Sequence, residues 1–278
     1  MKKRNIIALV LCIALCVCVL AGCSAKKSDK TLVVATNVSF PPYEYYEGEK
    51  AIGIDIDIMQ AICDKLGYQM EVQDMEFGSI ITSVAAGKAD VGVGAITVTE
   101  DRAKSVHFTT SYATGIQSVI VTEDSTITSV DDLYADGIKI GVQQDTTGDI
   151  YATDDFGEDH IARFNKGADA VQALLTGKCQ AVIIDNSPAE TFVAQNTGLK
   201  ILPASYAEEA YAFEISYNND ALYNEVNGAL EALLADGTIQ GGMIPKLENA
   251  FAAIDSGVSR VVITRADMLG TDSGTVIV

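Results

Sequence analysis

The chain is 278 residues long, 48% hydrophobic and 21% charged, with a formal net charge of −19 at pH 7. An acidic excess of that size repels nucleic acid and anionic lipid headgroups and so excludes polyanion binding, while the apolar share excludes a disordered chain. The length suits one large domain or two smaller ones.

Residues 1–22 open with Lys2, Lys3 and Arg4, run apolar from Ile6 to Leu20, and end in Ala21-Gly22 before Cys23. A basic start, a short apolar core and small residues before a cut form a secretory signal, and the run is shorter than the roughly 20 apolar residues of a membrane span. Removing it takes away three basic and no acidic side chains, moving the net charge from −19 to −22. Leu20-Ala21-Gly22-Cys23 resembles the lipobox of bacterial lipoproteins, which implies that Cys23 is acylated and becomes the first residue. Two or more acyl chains give a stable anchor. Residues 23–30 then read as a short flexible tether.

Structure is expected from Thr31. Thr31–Thr36 reads as a buried strand, Ile54–Leu66 as a helix stopped by Gly67, and Tyr68–Val72 as a strand. A short helix over Ile80–Ala86 stops at Gly87, the strand Asp90–Ala95 follows, and a helix start is expected at Thr99. The segment Val84–Val93, a helix end, a Gly87-Lys88 turn and an apolar strand, is repeated in Leu174–Ile183 around Gly177-Lys178. Ile138–Val142 likewise repeats the opening strand. Strand–helix alternation in two similar units predicts an α/β fold of two lobes with mostly parallel strands. Ala221–Ala235, ended by Gly237, has apolar residues at helical spacing and is expected to return to the first lobe. Residues 31–115 with 206–240 are assigned to lobe 1 and 116–205 to lobe 2. A chain that crosses twice makes a hinge, and a hinge makes a ligand cleft.

Enzyme signatures are absent from the sequence. His107 and His160 have no neighbour at metal-ligand spacing, no HExxH or GxSxG occurs, and the Gly-Lys pairs lack the rest of a phosphate loop. Of the six cysteines, Cys12, Cys16 and Cys18 leave with the signal and Cys23 takes lipid. Cys63 and Cys179 remain, in different lobes, and read as single buried thiols. No cofactor or metal is expected, and a binding protein is favoured over an enzyme.

Thr97 and Arg102 follow a strand, where α/β sites gather, and arginine is the side chain that grips a carboxylate with two parallel bonds. Phe40 and Phe77 sit at neighbouring strand ends, placed to stack on a ligand or simply to fill core. Asp185 closes the second-lobe strand and supplies an opposite charge.

These residues lie in "FPPYEY" at 40–45, "GIDIDIMQAICDKLG" at 53–67, "FGSIITSVAAGKADVGVGAITVTEDRAKSVHFT" at 77–109, "GVQQDTTG" at 141–148 and "AVIIDN" at 181–186. From Thr31 to about residue 240 the chain resembles bacterial extracellular solute-binding proteins of the polar amino-acid type (family 3), which serve ABC importers. The resemblance implies a hinged type II periplasmic-binding-protein fold and a free amino acid as ligand. It implies Arg102 on the ligand carboxylate, assisted by Gly94, Ala95, Thr97 and Thr147. It also implies Asp185 on the ammonium, and Phe40 and Phe77 around the side chain. Asn37 and Gln143 would line the side-chain end and favour a neutral polar ligand such as glutamine or cystine. Asp145 would draw a cationic side chain or face water. The implied partner is a membrane permease, and the chain is expected to be a monomer.

Residues 241–278 depart from that family. GGMIPK at 241–246 and the residues after it resemble the C-terminal end of acetylglutamate kinase, without the glycine-rich loops of a kinase. A helix from Leu247 to Gly257 and a strand over Val261–Thr264 are expected there, loosely packed for want of a sheet. The rival reading is an enzyme on the same two-lobe fold, similar to cyclohexadienyl dehydratase. Glu44 and Asp145 are its only spare acids. A receptor sensor module is a weaker alternative.

Overall fold

The structure, a computed structural model, describes residues 30–239 and two short strands, 261–263 and 275–277. The signal, Cys23, most of the tether and the tail helix lie outside the described residues. The protein is an α/β molecule built on two mixed sheets.

The first sheet starts with β1 (Thr31–Thr36), which pairs in parallel with β4 (Gln69–Asp74) on one side and β5 (Val91–Gly92) on the other. Between β1 and β4 come a small hairpin, β2 (Tyr45–Glu47) and β3 (Lys50–Ile52), and helix α1 (Ile54–Leu66). Gly67 ends α1 at φ 76, a left-handed position that costs other residues energy, and returns its amide to Cys63. Helix α2 (Phe77–Ala85) leads to β5, and β6 (Val106–Phe108) forms the far edge.

The second sheet repeats this plan. Strand β8 (Ile140–Gln143) pairs in parallel with β9 (Ile161–Phe164) and β10 (Ala181–Asp185), with α3 (Thr147–Phe156) and α4 (Gly167–Leu175) as crossovers. The repeat in the sequence is a repeat of bonds. Gly87 N–H donates to the Val84 carbonyl and Gly177 N–H to that of Leu174, both at 3.0 Å. Lys88 and Lys178 donate one residue further back in each helix end, to Ser83 and Ala173, both at 2.9 Å. The Asp90 carboxylate then accepts from Val33 N–H at 2.8 Å, and the Gln180 amide oxygen from Lys139 N–H at 2.9 Å.

Strand β7 (Ala113–Thr122) runs antiparallel to β10, and α5 (Asn186–Gln195) and β11 (Leu199–Ile201) complete that side. The first half of β7 pairs with β12 (Ala207–Tyr211), and the two continue as a ribbon toward the first sheet. There Tyr112 N–H donates to the Tyr211 carbonyl at 3.1 Å and Thr109 N–H to that of Phe213 at 3.0 Å. Strand β13 (Glu214–Ser216) then enters the first sheet between β5 and β6. Helix α6 (Asp220–Ala235) follows and packs on α1.

Each sheet is covered on both faces, the arrangement that buries two apolar sides at once. Leu32 and Val34 share a core with Met59, Ile62, Val226 and Leu230, while Ala35 packs with Ile80 and Val84 of α2. Val142 and Ile183 pack with Ala152 and Phe156 of α3. Cys63 and Cys179 are free and buried.

Two expectations are corrected. The strand Asp90–Ala95 shortens to β5, because Gly94 and Ala95 turn to positive φ, 144 and 47. The helix start at Thr99 gives one helical turn over Arg102–Lys104, capped where Thr99 Oγ1 accepts from Arg102 N–H at 3.2 Å. The tail strand is present as β14 (Val261–Ile263), but it has its own partner, the antiparallel β15 (Thr275–Ile277).

Candidate functional site

The carboxyl ends of β1, β5, β8 and β10 point into one crevice between the sheets, the location α/β folds favour for ligands. The crevice is closed. Gln143 Nε2 donates to Asn37 Oδ1 at 3.1 Å, the hydroxyls of Thr97 and Thr147 lie 3.3 Å apart, and Arg102 Nη2 donates to the Asp145 carbonyl at 3.0 Å. Each bond joins the first sheet's lobe to the second's.

Inside lies a small cavity of about 10 Å³, lined by Asn37, Phe40, Glu44, Phe77, Gly94, Thr97, Arg102, Gln143, Thr146 and Thr147. Eight of the residues singled out from sequence thus meet around one space, and Glu44 and Thr146 join them.

Arg102 is fixed from two sides. Its Nη1 donates to the Thr97 carbonyl at 3.0 Å, and its guanidinium lies over the Phe77 ring at 5.4 Å. Burial lowers its pKa, and Glu214, Glu209, Tyr151 and Asp185 oppose that shift. A desolvated guanidinium with donors to spare is suited to a carboxylate.

Ala95 and Asp185 stand behind the wall. The amides of Gly94 and Ala95 both donate to Asp55 Oδ2, at 3.0 and 2.8 Å, and Tyr112 OH donates to the same oxygen at 2.7 Å. These amides therefore order the turn after β5, and the aid to a ligand carboxylate expected from them is not available in this arrangement. Burial raises Asp55 to about 6 against the three donors.

Asp185 is 7% exposed and accepts from Tyr211 OH and, at 2.8 Å, from Gln117 Nε2. The same Gln117 nitrogen reaches Glu209 Oε2 at 2.9 Å, so one ribbon amide bridges two buried carboxylates, Asp185 at the end of β10 and Glu209 on β12. Burial first, and then Glu209, push the Asp185 carboxyl well above its ordinary range, while Arg102 pulls it back.

Asp145, at φ 66, lines a separate outer hollow with Glu76, Phe77, Gly78, Ser79, Gln144 and Asn165. Sequence reasoning treated Glu44 only as a spare acid and passed over Asp55, Gln117, Glu209 and Tyr211. The one available signal was acids at otherwise apolar positions, such as Asp55 beside Ile54 and Ile56.

Three comparisons bear on this geometry. Residues 32–242 match the model of the bacterial extracellular solute-binding proteins, family 3. The arginine-binding extracellular protein ArtP of Bacillus subtilis is 30% identical over 247 residues, covering 86% of this chain and 96% of that protein. Among solved structures, the arginine-, lysine-, histidine-binding protein ArtJ of Geobacillus stearothermophilus superposes with a TM-score of 0.71 at 31% identity, over 76% of this chain and 92% of its own. An ancestral arginine-binding protein bound to glutamine gives 0.72 at 33%, over 80% of this chain and 97% of its own.

Proposed function

The chain belongs to the bacterial extracellular solute-binding proteins, family 3, and we propose that it captures a free polar α-amino acid between its lobes and presents it to an ABC importer. The fold is that of type II periplasmic binding proteins, and the relatives are named as binding proteins, not enzymes.

The observation that carries the reading is the meeting of residues from both lobes around one small cavity, with half-buried Arg102 on its wall holding unused donors. The ligand carboxylate takes the place beside Arg102, Thr97 and Thr147, and Phe40 and Phe77 flank the side chain. The α-ammonium meets Asp185, which exchanges its Tyr211 and Gln117 partners for the stronger charge-assisted bond. Asn37 and Gln143 close the far end. Since the two charges of the ligand meet opposite lobes, it binds the closed form better than the open one, and that difference drives closure. A permease then reads the closed form. Cys23 tethers the chain to the outer face of the cytoplasmic membrane, and the protein acts as a monomer.

A thermal-shift screen of the purified protein against the standard amino acids and cystine tests this directly. A rise in melting temperature with one group of amino acids is expected. No shift with any of them, or turnover of prephenate or arogenate, defeats the reading.

A further inference from the structure

Buried carboxylates outnumber the cation that faces them. Glu44, Asp55, Asp185, Glu209 and Glu214 are each at most 7% exposed. Arg102 acts on Asp185, Glu209 and Glu214 together. Asp55 has two amides and a phenol as partners. Asp185 and Glu209 are served more thinly. They share the one nitrogen of Gln117, at 2.8 and 2.9 Å, and both Glu209 Oε1 and Gln117 Oε1 are buried without a partner.

The sheet brings the pair together. Strand β7 runs between β10 and β12, and Gln117 stands opposite Asp185 on one side and Ala207 on the other. Glu209, two residues beyond Ala207, shares its face of the strand. The other groups facing Asp185 are Tyr211 from β12, Tyr151 from α3, Tyr43 and Glu44 from the loop after β1, and Arg102. Tyr151 also bonds Glu209. Apart from Arg102 these groups are phenols and an acid, and the Gln117 amide brings hydrogen bonds but no charge. Two neighbouring buried carboxylates so placed do not both stay ionised. The Tyr211 oxygen at Asp185 Oδ1 can accept a carboxylic proton as well as donate its own.

Resting on the amino-acid-binding reading above, we propose that Asp185 carries a proton in the ligand-free protein, held there by the neighbouring Glu209, and that the ligand ammonium displaces it to solvent. A carboxylic acid and an ammonium become a carboxylate–ammonium pair, and one proton passes to the buffer. The ammonium keeps its own three protons. Burial and then Glu209 act on Asp185 in the direction this requires. The bound form holds one proton fewer than the free form. Affinity therefore rises with pH, by up to about 10-fold per unit, until free Asp185 is itself ionised. Acid outside the membrane loosens the grip on the ligand, and Glu209 sets the pH at which it does so by acting through Asp185.

The test is titration calorimetry of the wild type and Glu209→Gln, with arginine and with glutamine as probes. It is run in buffers of low and high ionisation enthalpy between about pH 5 and pH 8, so that the change in heat with buffer counts the protons. The wild type should release about one proton per ligand at the acid end, with Kd falling about 10-fold per pH unit. Glu209→Gln keeps an acceptor for Gln117 and removes the neighbouring charge. It should move the whole profile at least about one unit toward acid. Wild-type heats that ignore the buffer, or an affinity flat in pH, would overturn the proposal without any variant. Proton release that Glu209→Gln leaves at the same pH would assign the proton to another carboxyl and overturn it equally. In both those outcomes binding is still recorded and the amino-acid-binding reading survives. Binding of no standard amino acid at all would remove that premise and this inference with it.

Discussion

Gly78→Ala should raise stability and lower affinity at once. Gly78 is the second residue of α2, and a methyl group there would stand 2.7 Å from Asp145 Cγ and 3.0 Å from Asp145 Cβ across the crevice. Carbon atoms rest about 3.5–4.0 Å apart, so even after the exposed Asp145 carboxylate turns aside, its Cβ must retreat by about 0.5–1 Å. Asp145 also supplies the carbonyl that takes Arg102 Nη2 at 3.0 Å. A retreat of about 1 Å stretches that bond beyond hydrogen-bonding range. Loss of one bond to a charged group costs about 1.5–3 kcal/mol, or about 10- to 150-fold in ligand affinity. In the ligand-free protein the same change removes a helix glycine. That stabilises by about 0.4–1 kcal/mol and lifts the melting temperature by about 1–4 °C. Titration calorimetry with arginine and scanning calorimetry without it read the two effects separately. The double variant Gly78→Ala, Asp145→Gly keeps the carbonyl and removes the clash, and should recover wild-type affinity. An affinity for Gly78→Ala within about 3-fold of wild type, too small for a lost charge-assisted bond, would refute this account of closure.

Other consequences concern stability. Burial raises Glu214 from 4.5 to about 7, with Arg102 opposing the shift. A carboxyl whose folded pKa lies above its unfolded one favours the fold while protonated. That stabilisation is complete below pH 4.5 and lost as pH rises through about 7, at about 1.4 kcal/mol per unit or roughly 3 kcal/mol in all. Glu214→Gln should therefore melt higher than wild type at pH 8 and about level with it near pH 5. A melting difference that ignores pH would contradict this. Gly115→Ala places a methyl 2.6 Å from Tyr211 Cε1, on the ribbon between the lobes. Overpacking there should cost about 1–3 kcal/mol in urea denaturation, and a neutral result would show that the Tyr211 ring is free to move.

The repeat around Gly87 and Gly177 was legible because local bonds make it: a left-handed glycine, a returned amide and a strand. Helix α1 was legible for the same reason, through its apolar spacing and Gly67. The end of β5 was not. Gly94 and Ala95 leave the strand because their amides serve Asp55, a partner 39 and 40 residues away. Arg102 stood out as an arginine shortly after a strand, but the helix expected around it is a single turn. The network of Gln117, Asp185, Glu209 and Tyr211 joins positions up to 92 apart, and no local pattern announces it. Asn37 and Gln143 were visible as polar residues. Which of their atoms face the cavity depends on the Met75 carbonyl, and only the fold brings that carbonyl close.

The central claim is that a guanidinium on one lobe, facing a carboxylate on the other, holds a zwitterion between them. Titration of wild type, Arg102→Ala and Asp185→Asn with arginine tests it most directly. One ligand per chain should bind the wild type at about micromolar Kd or tighter, near 8 kcal/mol of binding energy. Each variant should lose at least about 10-fold. Wild-type affinity retained by either variant would contradict the claim.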